Sequence, residues 1–113
     1  MHEMALASSM RDIVEEVARS NGAARVNVVR VEVGALACVE PTALRFCFDA
    51  SMIGSLAEGA RLEIEVTPGT AWCMPCGATV PLAQRGEPCP ICGSYQLQVS
   101  GGDEMRVLDI EVA

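Results

Sequence analysis

Two Cys-x-x-Cys pairs supply the residues of this chain that are best suited to chemistry. A segment of twelve residues rich in Gly and Pro separates the pairs. Within a pair, two intervening residues let the chain turn back, so that both sulfurs can face one ion. Four thiolates brought together in this way make a closed tetrahedral site for zinc. The pattern therefore predicts a structural zinc site at Cys73, Cys76, Cys89 and Cys92.

Other chemistry is open to the same four cysteines. A thioredoxin-like dithiol would open a helix, which Pro75 and the glycines that follow each pair, Gly77 and Gly93, oppose. Glycine at these positions can instead take the positive φ that a tight turn needs. Iron in a rubredoxin-like electron carrier remains an alternative metal, because sequence alone does not separate it from zinc at four thiolates.

A second candidate site lies at the N-terminus, Met1-His2-Glu3, which contains the only histidine of the chain. The α-amine, the backbone nitrogen of residue 2 and the imidazole can close adjacent chelate rings on one ion. Nearly coplanar nitrogen donors suit Ni(II) or Cu(II). Binding needs a deprotonated amine and a neutral imidazole, so affinity should fall in mild acid. The alternative is a frayed terminus that carries an incidental histidine.

Composition narrows the function classes. The chain has 113 residues, half of them apolar, a formal net charge of −7 and no lysine. Nucleic-acid binding modules need a basic footprint, so DNA or RNA binding is not expected. No apolar run is long enough for a membrane span, and no signal peptide is visible. We expect a cytoplasmic protein, in which Cys38 and Cys47 are small buried hydrophobic residues rather than disulfide partners.

Hydrophobic periodicity predicts two helices and three long strands. Residues 4–20 place an apolar stripe at helical spacing, made of Leu6, Met10, Ile13, Val14 and Val17. Residues 41–52 form a second helix, which Pro41 begins. The strands are residues 25–36, 61–67 and 105–112. In residues 61–67 Leu62, Ile64 and Val66 alternate with charged residues, which indicates one buried face.

The predicted fold class is α+β, a three-stranded sheet covered on one face by two helices, with an inserted zinc-ribbon domain. The matching patterns of residues 61–67 and 105–112 suggest that these two strands pair. Residues 1–70, completed by the strand in 103–113, form one domain, and residues 71–102 form the ribbon. Leu97 and Val99 indicate a short strand, and residues 100–102 a flexible return linker.

Four motifs in this order carry a resemblance to a known family. They are Met1-His2-Glu3, Val33-Gly34-Ala35-Leu36, Glu40-Pro41-x-x-Leu44-x-Phe46-x-Phe48 and Cys73-x2-Cys76-x12-Cys89-x2-Cys92. The chain resembles the HypA/HybF family of hydrogenase maturation proteins over its whole length. The N-terminal motif together with the two cysteine pairs is the specific part of the resemblance.

The resemblance implies a nickel metallochaperone that helps insert Ni(II) into the large subunit of [NiFe]-hydrogenase, working with a HypB-type GTPase. Some members of the family also serve urease. His2 would be the principal nickel ligand, completed by the amine of Met1 and the backbone nitrogens of His2 and Glu3. The four cysteines would hold structural Zn²⁺. Glu40 lies at an acidic position that is sometimes linked to the nickel site.

The alternative function is a zinc-ribbon protein-interaction module without nickel transfer. An enzyme is not expected, since the sequence has no nucleophile–base constellation, Walker-type phosphate loop or open three-ligand zinc motif. Partners should be proteins rather than nucleic acids or membranes, and the chain itself a monomer or weak homodimer.

Overall fold

The structure, a computed structural model, describes residues 2–113. Within these residues the chain forms two helices and six strands. In order they are α1 (Glu3–Ser20), β1 (Val26–Gly34), α2 (Pro41–Met52), β2 (Arg61–Thr67), β3 (Thr70–Cys73), β4 (Ala78–Pro81), β5 (Leu97–Gly101) and β6 (Met105–Val112). The fold is mixed α+β, as predicted, and every predicted helix and long strand is present.

The chain divides into two compact units. The first contains the chain up to Val31, Val39–Glu65 and Val107–Ala113, and the second contains Glu32–Cys38 and Val66–Arg106. Both helices lie in the first unit, and β3, β4 and β5 lie in the second.

Helix α1 packs on α2 in the first unit. The face that α1 buries differs from the predicted one: it consists of Glu3, Ala7, Met10, Val14 and Ala18. Ile13 and Val17 were predicted to face the core, but they are 46% and 41% exposed. The small side chains of Ala7 and Ala18 take part in the buried stripe, so the buried face is rotated away from the bulkier residues.

The order of the larger sheet is β2-β1-β6. The prediction that β2 pairs with β6 is therefore wrong, because β1 lies between them. The physical reason is the burial of β1, whose side chains Val26, Val28, Val29, Val31 and Val33 are all buried. A strand this apolar is best covered between two neighbours, whereas the half-exposed β2 and β6 suit the two edges.

Two details of this sheet also depart from simple alternation. The buried positions of β1 change phase between Val28 and Val29, since both are buried. In β2, Leu62 is buried as predicted, but Val66 near the end of the strand is 64% exposed. Strict alternation therefore holds over only part of each strand.

The second unit contains an antiparallel sheet in the order β4-β3-β5. Trp72 at the centre of β3 faces Thr79 on β4 and Gln98 on β5. Strands β3 and β4 were not predicted, because each is only four residues long and lies next to a cysteine pair. One small core of this unit consists of Leu36, Ala71 and Leu82, with Leu97 and Val99 packed against it.

The segment 100–102 is not a flexible linker, contrary to prediction. Ser100 and Gly101 belong to β5, and Gly102 has φ +74 and lies against Pro68. A Cβ atom on Gly34 would lie 2.1 Å from the carbonyl oxygen of Gly102. The glycines in this region thus permit close backbone packing rather than flexibility.

Two further expectations concern cysteines and membranes. Cys47 is buried, as expected, but Cys38 is exposed and has a positive φ of 59. Neither of the helices among residues 2–113 combines the length and the apolar character that a membrane crossing requires.

Candidate metal centres

The two cysteine pairs adopt the same backbone turn. The amide of Gly77 donates to the carbonyl of Cys73, and the amide of Gly93 donates to that of Cys89, both at 2.9 Å. Gly77 and Gly93 have φ values of +59 and +76, as the sequence predicted. Glycine takes this left-handed conformation at little cost, so each pair can fold back on itself.

These turns bring four sulfur atoms together. The Sγ atoms of Cys73, Cys76, Cys89 and Cys92 all lie within 4.8 Å of one another. The separation is 3.5 Å between Cys73 and Cys92, and 3.9 Å between Cys76 and Cys89. A tetrahedral ion with metal–sulfur bonds of about 2.3 Å places its ligands about 3.8 Å apart. The four thiols therefore fit one tetrahedral metal ion.

The surroundings of these thiols also favour a metal. Backbone amides of Cys92 and Ile91 donate to the Sγ of Cys89 and lower the pKa of that thiol to about 7. The neighbouring thiols of Cys92 and Cys73 raise the pKa of Cys76 to about 12. Without a metal, the four thiols therefore cannot all ionise easily, because ionisation of one thiol disfavours ionisation of its neighbours. A bound cation removes this conflict, because a coordinating thiol is deprotonated outright.

The N-terminal candidate site lies at the start of α1. His2 occupies the N-cap position, is exposed, and makes no side-chain hydrogen bond that caps the helix. Its carbonyl accepts from the amide of Leu6 at 2.9 Å, which fixes its backbone to the first turn. Met1, whose amine is another predicted donor, lies outside the described residues. The imidazole is therefore placed at the surface on an ordered backbone.

Glu3 is the one charged residue among those described that is buried, with 4% of its surface exposed. Its Oε2 accepts from the backbone amide of Glu40 at 3.2 Å. Glu40 is in turn the N-cap of α2, and its side chain accepts from the amide of Ala43. The first turn of α1 is thereby attached to the start of α2. The sequence predicted that the second helix begins at Pro41, but it gave no sign that Glu40 caps this helix or that Glu3 bonds to Glu40.

The Glu3 contact makes stability depend on pH. The amide of Glu40, and next that of Glu3 itself, lower the pKa of the Glu3 carboxyl below its ordinary 4.5. A carboxyl with a lowered folded-state pKa contributes stability above its unfolded pKa and loses it as pH falls through the folded one. We expect Glu3→Gln to lower the melting temperature at neutral pH, and this deficit to shrink below about pH 4.5.

Thermal unfolding followed by circular dichroism across this pH range measures the effect. Glu16→Gln is the matched control, since it makes the same substitution at an exposed position of the same helix. A Glu3→Gln deficit that stays constant into strong acid would rule out the proposed contribution.

Comparison with known proteins identifies the family. The family model described as "HypA: Hydrogenase/urease nickel incorporation, metallochaperone, hypA" matches residues 1–112. The chain belongs to the HypA family. It is a maturation factor that serves nickel incorporation into hydrogenase, not an enzyme.

Relatives of this HypA-family chain match it along nearly their whole length. It is 59% identical to hydrogenase maturation factor HypA 2 of Bradyrhizobium diazoefficiens, over 99% of both chains. It is 56% identical to hydrogenase maturation factor HypA of Azoarcus sp., over 97% of this chain and 96% of the relative. The solution structure of the Ni metallochaperone HypA from Helicobacter pylori matches with a TM-score of 0.72, at 26% identity and covering 99% and 97%.

Proposed function

We propose that this protein binds Ni(II) at its N-terminus and helps deliver the ion to the large subunit of [NiFe]-hydrogenase. The nickel donors are the amine of Met1, the imidazole and backbone nitrogen of His2, and the backbone nitrogen of Glu3. These groups form a chelate of nitrogen donors, which nickel prefers in a planar arrangement. Nickel is the cargo in this proposal rather than a permanent part of the protein.

The main support is a family match that begins at residue 1 and so includes the three residues proposed to bind nickel. The exposure of His2 and its freedom from helix capping suit ligand exchange with a partner. The side chain of Glu3 has a separate role, because its carboxylate is bonded to the amide of Glu40. Glu3 thus anchors the terminus through its side chain, and its backbone nitrogen can bind nickel once the amide gives up its contact with the Glu3 carboxylate.

We assign the second metal as structural Zn²⁺ held by Cys73, Cys76, Cys89 and Cys92. The sulfur separations support a tetrahedral ion, and zinc is the usual occupant of closed sites with four cysteines. When bound, zinc would join the two turns and stabilise β3 and β4. Residues 1–70, completed by 103–113, then form a nickel-binding domain, and residues 71–102 a zinc-binding one.

The partners we propose are a HypB-type GTPase and the hydrogenase large subunit, with urease as a second recipient of nickel. The protein works as a monomer or weak homodimer. Its net charge of −7 disfavours polyanionic partners and is consistent with proteins as the targets.

Metal analysis and nickel titration of untagged protein test the proposal. We expect one zinc ion per chain after purification and one further site for nickel. Blocking the α-amine with an N-terminal extension should weaken nickel binding and leave zinc unchanged, because the chelate loses a donor. Equal nickel affinity with and without the extension would contradict the N-terminal site. In that case the protein would be better described as a zinc-ribbon protein-interaction module without nickel transfer.

A further inference from the structure

The outer edge of β6 is a surface that nickel binding and the cysteine cluster do not use. In the order β2-β1-β6, β6 is an edge strand, and among residues 2–113 no strand pairs with its outer side. On its inner side it runs antiparallel to β1, since the amide of Ala113 bonds the carbonyl of Arg25 and the amide of Gly34 bonds that of Glu104. An edge strand presents unpaired amide and carbonyl groups, which form a template for another strand.

One face of β6 borders an apolar groove. The groove has a volume of about 420 Å³ and is lined by Val17 of α1, by Asn21 that follows the helix, and by Leu108, Ile110 and Val112 of β6, with Asp109 at its border. Val17, Leu108 and Val112 are 41%, 37% and 44% exposed. The apolar residues of β6 alternate along the strand, so an added strand would place every second side chain beside this groove.

The other face of β6 is acidic. Asp109 and Glu111 bond Arg30 of β1, which also bonds Glu63 of β2, and Glu63 bonds Arg61. Two arginines thus face three carboxylates. The side chains of Asp109 and Glu111 remain 58% and 52% exposed. A strand added beside β6 would bring its own side chains next to these two carboxylates.

We propose that the outer edge of β6 binds an extended segment of a partner protein as an added strand, with alternating apolar and basic side chains. Its apolar residues lie along the groove, and its Arg or Lys residues face Asp109 and Glu111. A second copy of this chain is a poor occupant, because pairing would bring two chains of net charge −7 and their acidic edges together. The acidic face therefore selects a basic partner and disfavours self-association.

Amide chemical shifts in full-length protein loaded with zinc test this proposal. The probe is a capped peptide of about seven residues that alternates Arg and Val, a usual strand length. Three control peptides test the charge, the alternation and the backbone hydrogen bonds in turn. The first has Glu in place of Arg, the second has the same composition in two blocks, and the third is N-methylated at alternate amides. We expect shifts at residues 107–112 with the probe at millimolar concentration, and at least about tenfold weaker binding of the N-methylated peptide.

Matched variants test the acidic face. The double variant Asp109→Asn/Glu111→Gln should bind the Arg-Val peptide about fivefold more weakly, through loss of two exposed ion pairs. Asp103→Asn/Glu104→Gln removes the same charge elsewhere and should bind like wild type. The proposal is overturned if the N-methylated, block or Glu peptide binds as well as the probe, if shifts appear elsewhere or not at all, or if the two variants weaken binding equally. A dimer seen by sedimentation, whose formation itself shifts the amides of residues 107–112, would also overturn the proposal in favour of a second copy.

Discussion

His2→Ala should weaken Ni(II) binding by more than about 100-fold. Loss of a residue that merely supports a metal ligand already costs about 10–100-fold in affinity, and His2 is proposed to supply a ligand itself. The chain has no other histidine to replace it. Because His2 is exposed and does not cap α1, the variant should keep its melting temperature. Nickel titration calorimetry and the visible absorption of bound Ni(II) measure the loss.

Glu3→Gln is the informative comparison for His2→Ala. It keeps the imidazole and all the backbone nitrogens, so it should reduce nickel affinity far less while lowering stability at neutral pH. Wild-type affinity should also fall in mild acid, because metal binding releases protons from the ligands. Nickel binding by His2→Ala at wild-type strength would refute the assigned ligand set.

Removal of the metal from the four cysteines should unfold the ribbon and spare the helices. Structural zinc in small domains is worth about 10–16 kcal/mol, and without it the ribbon retains only small cores. One of these cores, Cys73, Val80 and Cys89, itself consists largely of cysteines of the cluster. Cys73→Ser or strong chelation should therefore dissolve the pairing of β3 with β4 and β5.

Two spectroscopic signals distinguish unfolding of the ribbon from unfolding of the helices. The only tryptophan, Trp72, lies at the centre of β3, so its fluorescence reports the ribbon. The helical circular dichroism signal comes from α1 and α2, which both lie in the first unit. We expect the fluorescence to change and the helical signal to persist. Cys38→Ser, outside the cluster, should retain zinc and native fluorescence. A folded ribbon in metal-free protein would contradict the structural role.

Local patterns in the sequence predicted the elements but not their neighbours. The bounds of α2, β2 and β6 follow directly from periodicity and from Pro41. Strand order does not follow, because β2 and β6 share the same alternation and periodicity carries no information about which strand lies between them. The five buried valines of β1 were the available signal for a central strand. The exposure of Ile13 could not be predicted either. The rotation of α1 about its axis depends on which of its small residues allow α2 to approach closely.

The two candidate sites differed in how far sequence could describe them. At the cysteine pairs, spacing and the following glycines determine the local turn, so the sulfur cluster could be predicted from a short stretch of chain. At the N-terminus, His2 was identified by chemistry, but the bond from Glu3 to Glu40 joins residues far apart in sequence. A contact between residues so far apart in sequence produces no spacing pattern from which it could be predicted.

The bond between Glu3 and Glu40 also has a consequence for synthesis on the ribosome. The N-terminus emerges first, yet the amide that fixes its first turn belongs to a residue 37 positions later. In proteins most helical stability comes from tertiary packing, so α1 of a nascent chain lacks its anchor until α2 has emerged. Glu3 and the neighbouring His2, which is proposed to bind nickel, therefore become ordered only after the two helices can pack. An ordered first turn of α1 thus indicates that both helices have been synthesised and have packed together.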